Sequence, residues 1–258
     1  MEFLRSSKRR SLLSELVYII LNIALAVAVL AVVRAIESPL PAFALVILSK
    51  WRVLAVRPRY WFANIQANMV DIIVSLSVVV WLYAASGSFA IQIAITLLYI
   101  GWLLLIKPRS KRIFVAAQAG TAVFLGVTAL MSVSYDWPDL FVVAAMWLIG
   151  YSAARHVLGS YDDVHMSFYS LAWGLIFAEI GWVMYHWTFA YALPGVDLKL
   201  PQAAIVTLAV SFLAERVYSS YSQHRTVRTN DIILPGLFSV SVIVVLLVFF
   251  NRLGAGIV

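Results

Sequence analysis

Residues 62–85 read FANIQANMVDIIVSLSVVVWLYAA, a stretch with one charged side chain, Asp71, and no alternation of polar and apolar positions. A run of this length matches the roughly 20 residues that cross a hydrocarbon layer of about 30 Å as an α-helix. With no water in that layer, backbone amides must bond within the segment or within a closed barrel, and a barrel strand would alternate with period two. The stretch is therefore predicted to be a transmembrane helix.

The same pattern recurs on both sides of it. Apolar runs near 14–34, 39–56, 89–106, 113–133, 140–158, 167–193, 201–218 and 233–250 join 62–85 in a single transmembrane domain, residues 1–258. Turn residues such as Ser86-Gly87-Ser88, Lys107-Pro108-Arg109 and Pro194-Gly195 separate the runs. Composition agrees: 63% of the residues are hydrophobic and 12% charged, against about a quarter charged in soluble proteins. The expected fold class is an all-α polytopic membrane helix bundle of nine spans with no extramembrane domain. The weakest run is 39–56, which Lys50 and Arg52 interrupt. It spans if both long side chains snorkel to the cytoplasmic headgroups; eight spans plus one short or re-entrant segment is the alternative. The basic N-terminus precedes an apolar run longer than a cleavable leader carries, so it reads as an uncleaved first span.

Charge fixes the expected orientation. On a nine-span count, 16 of the 19 Lys and Arg residues fall on one side, and only Arg34, Lys199 and Arg252 fall on the other. Miscounting one span would exchange the sides of every later loop, so the positive-inside rule supports a multi-pass cell-membrane protein, N-terminus cytoplasmic and C-terminus outside. The net charge of +7 lies in short clusters between apolar runs and forms no nucleic-acid-binding domain. Without cysteine there is no disulfide, thiol nucleophile or thiolate metal site. Loops of at most about a dozen residues leave no room for a soluble catalytic domain. The chemistry belongs in the bundle or at its edge.

Three constellations are candidates for it. Asn64, Asn68, Asp71 and Ser75 recur at steps of four, three and four and share a helix face. Asp71 lies about 14 Å from the cytoplasmic start of its span, where a carboxylate must be neutralised, paired or hydrated; the asparagines also suit bridging between helices. Glu179, Trp182 and His186 share a face of the seventh span. Glu179 at mid-depth with His186 two turns outward suits a proton or cation path, while His186 also suits an aromatic belt. In the cytoplasmic loop, Asp162, Asp163 and His165 follow Arg155-His156 and offer ligands to a divalent cation or a phosphate. Glu215 and Arg216 read as an ion pair near the inner end of the eighth span.

In its span number and its acidic residues toward the cytoplasmic side, the chain resembles the intramembrane prenyltransferases, whose two aspartate-rich motifs hold magnesium and a lipid diphosphate. On that resemblance Asn64, Asn68 and Asp71 would represent one motif, and Asp162 and Asp163 the other. The first segment has one carboxylate where that family has several, and the second lacks a spaced third Asp, so no family is assigned. Three readings of function stand: a small carrier or ion pathway with Asp71 and Glu179 facing a shared cavity; an intramembrane enzyme acting on a lipid headgroup or lipid phosphate at the cytoplasmic face; and a non-catalytic subunit that packs against other membrane proteins. The partners these imply are the lipid bilayer, lipid headgroups or membrane subunits. No cofactor is named by the sequence.

Because the chain has no cysteine, orientation is directly testable. Single cysteines at Ser86 and Leu198 are expected to react with an impermeant thiol reagent applied from outside, and cysteines at Ser110 and Ser160 are not. Labelling of Ser110 and Ser160 from outside would reverse the orientation.

Overall fold

The computed structural model describes residues 2–161, 163–187, 189–193 and 196–250. In chain order its elements are α1 (Glu2–Ala35), α2 (Leu40–Ser49), α3 (Trp51–Leu54), a 3-10 turn (Pro58–Tyr60) and α4 (Trp61–Ala84). Then come α5 (Phe89–Gly101), a π-helical turn (Trp102–Ile106), α6 (Arg112–Val133), α7 (Asp139–Gly159) and α8 (Met166–His186). The chain continues with β1 (Ala190–Leu193), β2 (Val196–Pro201), α9 (Gln202–His224) and α10 (Thr229–Phe249). Among the described residues, eight helices are long and apolar enough to cross a membrane, and the protein is an all-α multi-pass bundle.

The run 39–56 is the exception to the long-helix pattern. It forms two short helices, and its helical path breaks at Lys50, whose φ and ψ are −92° and 14°. It nevertheless runs antiparallel to α4 from end to end. Tyr83, near the end of α4, donates its hydroxyl to the carbonyls of Ile36 and Ser38 at 2.9 and 2.8 Å. At the start of α4, Asn64 donates to Val53 O at 2.6 Å and Trp61 Nε1 to Leu54 O and Val56 O at 3.0 Å each. Beside the eight long helices, this broken segment thus lies along α4 among the described residues. Lys50 does not snorkel outward; it turns in toward α4, where Asp71 supplies its counter-charge.

Contacts at the ends fix the order of the remaining segments. Tyr18 of α1 donates to Leu103 O at 3.2 Å while Arg34 lies over the Phe89 ring, so α1 and α5 are antiparallel. Tyr185 near the end of α8 donates to Trp137 O at 2.6 Å, level with the start of α7. The expected seventh span, 167–193, is shorter than its apolar composition suggests. Its helix stops at His186, and the tail pairs with the residues after it as an antiparallel hairpin, Tyr191 opposite Leu200 and Ala192 opposite Lys199. One end of the bundle carries this hairpin; the other, the basic end, carries Arg57, Arg59, Arg109, Lys111 and Arg112.

The core gathers around α4 and α6, with Val74, Val79, Val123, Met146 and Phe177 fully buried. Glycines set the closest approach, between α7 and α8. A Cβ on Gly150 would stand 2.4 Å from the Phe177 ring, and one on Gly181 would stand 2.5 Å from Met146 Cγ. In lipid, where apolar side chains gain little by leaving their solvent, such close backbone approach is what drives association. Gly150→Ala and Gly181→Ala are each expected to lower stability by about 1–3 kcal/mol, read as an earlier transition in SDS titration from mixed micelles. Gly87→Ala, where a Cβ meets nothing within 4 Å, serves as the control; equal transitions for all three would refute the tight interface.

Candidate functional site

Asp71 sits in the middle of α4 and is 8% exposed. Its Oδ2 accepts from two ammonium groups, Lys50 Nζ at 2.5 Å and Lys107 Nζ at 2.9 Å. The sequence places Lys50 between two apolar halves and Lys107 after the next apolar run, and local backbone departures bring both inward. The helical break at Lys50 turns one. For the other, the π turn adds a residue to the end of α5, closed by the Lys107 N–H bond to Trp102 O at 2.9 Å, and rotates the residues beyond it by about 100°. The pairing solves the problem Asp71 poses in hydrocarbon, since a lone buried carboxylate is stranded without a counter-charge. Two cations on one carboxylate leave one surplus positive charge; Lys107 is the more exposed of the two.

The other members of that helix face have backbone partners. Asn68 donates to Asn64 O at 2.8 Å, and Ser75 donates to Asp71 O at 2.7 Å while accepting from Tyr99 at 3.0 Å. Asn64 thus links α4 to α3, Asn68 bonds back within its own helix, and Asp71 is the one ionisable group of the constellation. Beside it Gln118 of α6 closes the end of the π turn, donating to the carbonyls of Ile106, Lys107 and Arg109 at 2.7, 3.3 and 2.9 Å. With its amide nitrogen so occupied, its oxygen accepts from His156 Nε2 at 2.6 Å.

Glu179 and Asp71 are not brought together. Glu179 lies on the exposed face of α8, in one stripe with Leu171, Leu175, Trp182 and His186. Because α8 ends at His186, Glu179 stands seven residues, about 10 Å, from that end and three residues past the middle of the helix. His186 makes edge contacts with the rings of Trp182 and Tyr185 at 5.0 and 5.4 Å, as an aromatic belt residue would. In the basic-end loop Asp162 lies outside the described residues. Asp163 accepts from the Tyr218 hydroxyl and, at 2.6 Å, from the His165 backbone N–H. These two hydrogen bonds, the first the larger, hold its carboxyl below the usual aspartate range. The His165 side chain is exposed and its ring meets Tyr169 edge-on at 6.2 Å. Among the described residues no group of three potential metal ligands forms.

What the sequence reading missed is a cavity. Walls from α4, α5, α6, α7, α8 and α9 border a cleft of about 1160 Å³ that is open along one side, where Leu98 and Ile113 are exposed, against the roughly 300–1,000 Å³ of a small-ligand pocket. Apolar and aromatic side chains make most of its wall, from Trp81 and Phe124 toward the hairpin end to Trp102 and Trp173 further in. Polar groups collect at the basic end. There Arg112 stacks over Tyr161 at 4.4 Å, Tyr161 donates to Glu215 at 3.2 Å, and Arg216 pairs with Glu215 at 3.4 Å. Burial pushes the Tyr161 phenol up. Three polar groups on the wall have no partner among the described residues: Trp81 Nε1, Trp102 Nε1 and Ser211 Oγ. The sequence signal for the cavity is a stripe of small residues on α6, Ala116, Ala117, Gly120 and Thr121, which leaves neighbours standing off wherever no large side chain fills the gap.

Asp71→Asn strands two ammonium groups and is expected to lower stability by about 3 kcal/mol, read by SDS titration in mixed micelles. Adding Lys50→Met and Lys107→Met should recover most of that loss, because the charges vanish together. An unchanged Asp71→Asn transition would show that the carboxylate does not hold the three segments. Comparison with known protein families, with curated proteins and with solved structures finds no match, so the function of this bundle has to be argued from the cavity and the charges around it.

Proposed function

We propose that this protein is a lipid-handling membrane protein that binds an anionic amphiphile, its apolar chains along the cavity and its charged end at Arg112 and Arg216 on the cytoplasmic side. The observation that carries this reading is the cavity's polarity: an apolar, aromatic wall along the bundle and guanidinium groups only at the basic end. A wholly apolar guest would leave unmatched Arg112, which stacks on Tyr161 and meets no carboxylate among the described residues, and a small polar solute would leave the wall unwetted. An amphiphile matches both at once.

Electrostatics supports the same end. Basic side chains near the cytoplasmic surface attract anionic lipids by about 1 kcal/mol each, and 16 of the 19 Lys and Arg residues fall on the side assigned to the cytoplasm. Orientation, N-terminus inside and C-terminus outside, belongs to this proposal and is tested by the same cysteine labelling. The reading keeps the lipid of the enzyme alternative in the sequence analysis but not its chemistry, and takes the cleft as the site in place of Asp162, Asp163 and His165. A proton or ion path through Asp71 and Glu179 is less favoured, because Asp71 is engaged by two lysines and Glu179 does not line the cavity.

The test is lipid retention. Full-length protein is exchanged through vesicles of phosphatidylcholine with phosphatidylglycerol, returned to mild detergent, and its bound lipid counted by native mass spectrometry. Filling the cavity with Ala116→Trp or Ala172→Phe should reduce retained lipid about tenfold, equivalent to about 1.4 kcal/mol. Arg112→Gln should leave retention but lower the preference for the anionic lipid about fivefold. Undiminished retention in both filled variants would remove the cavity as the lipid site.

A further inference from the structure

The outward face of α8 carries a polar group that the bundle leaves without a partner. Leu171, Leu175, Glu179, Trp182 and His186 recur at steps of four, four, three and four, the period of one helix face, and all five are exposed. Ser170, Gly174, Phe177 and Gly181 form the opposite, buried face, so the stripe points away from the bundle. None of the five borders the cleft, and Glu179 makes no hydrogen bond or ion pair among the described residues. α8 has 21 residues, about 31 Å of helix, which matches the hydrocarbon layer. Glu179 stands about 10 Å inside its hairpin end and lacks the long stem with which lysine or arginine reaches the headgroups from such a depth. Ionisable side chains within spans almost always face protein or water and not lipid, so this face belongs against protein.

What covers it follows from what the chain offers. Cations within the spans are already engaged, Lys50 and Lys107 by Asp71 and Arg216 by Glu215, and all three lie toward the basic end. A carboxylic acid, however, donates through its O–H and accepts through its carbonyl oxygen, so a second acid completes it. Two copies in the same membrane orientation are related by a two-fold axis along the membrane normal, and a residue on that contact meets its own counterpart at its own depth. We propose that the outward face of α8 is the contact between two copies of this chain, with the two Glu179 carboxyl groups hydrogen-bonded to each other between layers of Leu175 and Trp182. The Trp182 and His186 rings, edge-on at 5.0 Å, close the contact toward the hairpin end. Interhelical hydrogen bonds of this kind hold membrane helices together where apolar side chains alone gain little. The contact is separate from the cleft and stands whether or not the cleft holds lipid.

The absence of native cysteine makes the test direct. Full-length protein carrying a single cysteine is reconstituted in phosphatidylcholine vesicles at high lipid dilution and oxidised. A disulfide-linked dimer is expected for Leu175→Cys and none for Val240→Cys, which is also exposed and lies near the middle of α10. Dimer affinity is read by energy transfer between donor-labelled and acceptor-labelled Ser110→Cys copies over a series of lipid dilutions. Glu179→Leu should weaken dimerisation about tenfold without moving the SDS-titration transition of the bundle. Glu179→Gln, whose amide also donates and accepts, should keep most of the affinity. A parent that stays monomeric throughout the series overturns the proposal. So does a dimer whose affinity Glu179→Leu leaves unchanged, or whose crosslink forms at Val240 and not at Leu175. A monomeric parent that instead binds a synthetic polyleucine helix bearing a lysine at matching depth overturns it in favour of another protein's span.

Discussion

One carboxylate organises the basic half of this bundle. Asp71 accepts from Lys50 and Lys107, and through them it joins the break between α2 and α3, the middle of α4 and the end of the π turn. In water such a triad would contribute little, because exposed ion pairs are screened and mobile. Here both partners of the shorter contact are largely buried, and each group is expensive without the others. The broken second segment illustrates the consequence. Lacking the length of its neighbours, it is held along α4 by hydrogen bonds at both ends and by Lys50 in between. A straight helix with Lys50 turned to the headgroups would leave Asp71 to Lys107 alone.

Packing density then divides the molecule in two. Between α7 and α8, glycines let a phenylalanine and a methionine seat against bare backbone, giving the contact that association in lipid requires. In the first half of α6 the small residues Ala116 and Ala117 border the cleft instead, while at Gly120 the α9 side chain of Leu208 reaches to 3.4 Å of where a Cβ would stand. Small side chains therefore have opposite effects at the two places, and the difference lies in what the facing helix offers. Where it presents a large side chain the gap closes; where no such side chain reaches across, the gap stays open along the bundle.

This explains what was legible in the sequence and what was not. Helix existence and number follow from run length and backbone hydrogen bonding, which are local, and the broken segment was marked in advance by Lys50 and Arg52. Asp71 was legible as a group needing a partner, because its depth follows from counting residues. Its partners were not, since the turns that aim Lys50 and Lys107 depend on tertiary contacts such as the cap Gln118 puts on the π turn. The end of the seventh span was misplaced because apolar composition continues past His186 into the hairpin, and Glu179 stands nearer that end than its run suggested. Its side was misjudged as well: spacing shows which residues share a face, but only packing shows which face the bundle buries. The cavity was least legible, being a property of six helices together.

Wall and clasp are not independent parts of this fold. Trp102 and Lys107 are the two ends of one π turn, joined by the hydrogen bond that defines it. Tyr99 on the preceding turn lines the cavity while its hydroxyl donates to Ser75, which in turn donates to the backbone of Asp71. Displacing the wall at Trp102 or Tyr99 therefore strains the contacts that position Lys107 and Asp71, and loosening the clasp frees the turn that carries Trp102. Gln118 limits that freedom from the α6 side, by donating to three carbonyls at the end of the turn.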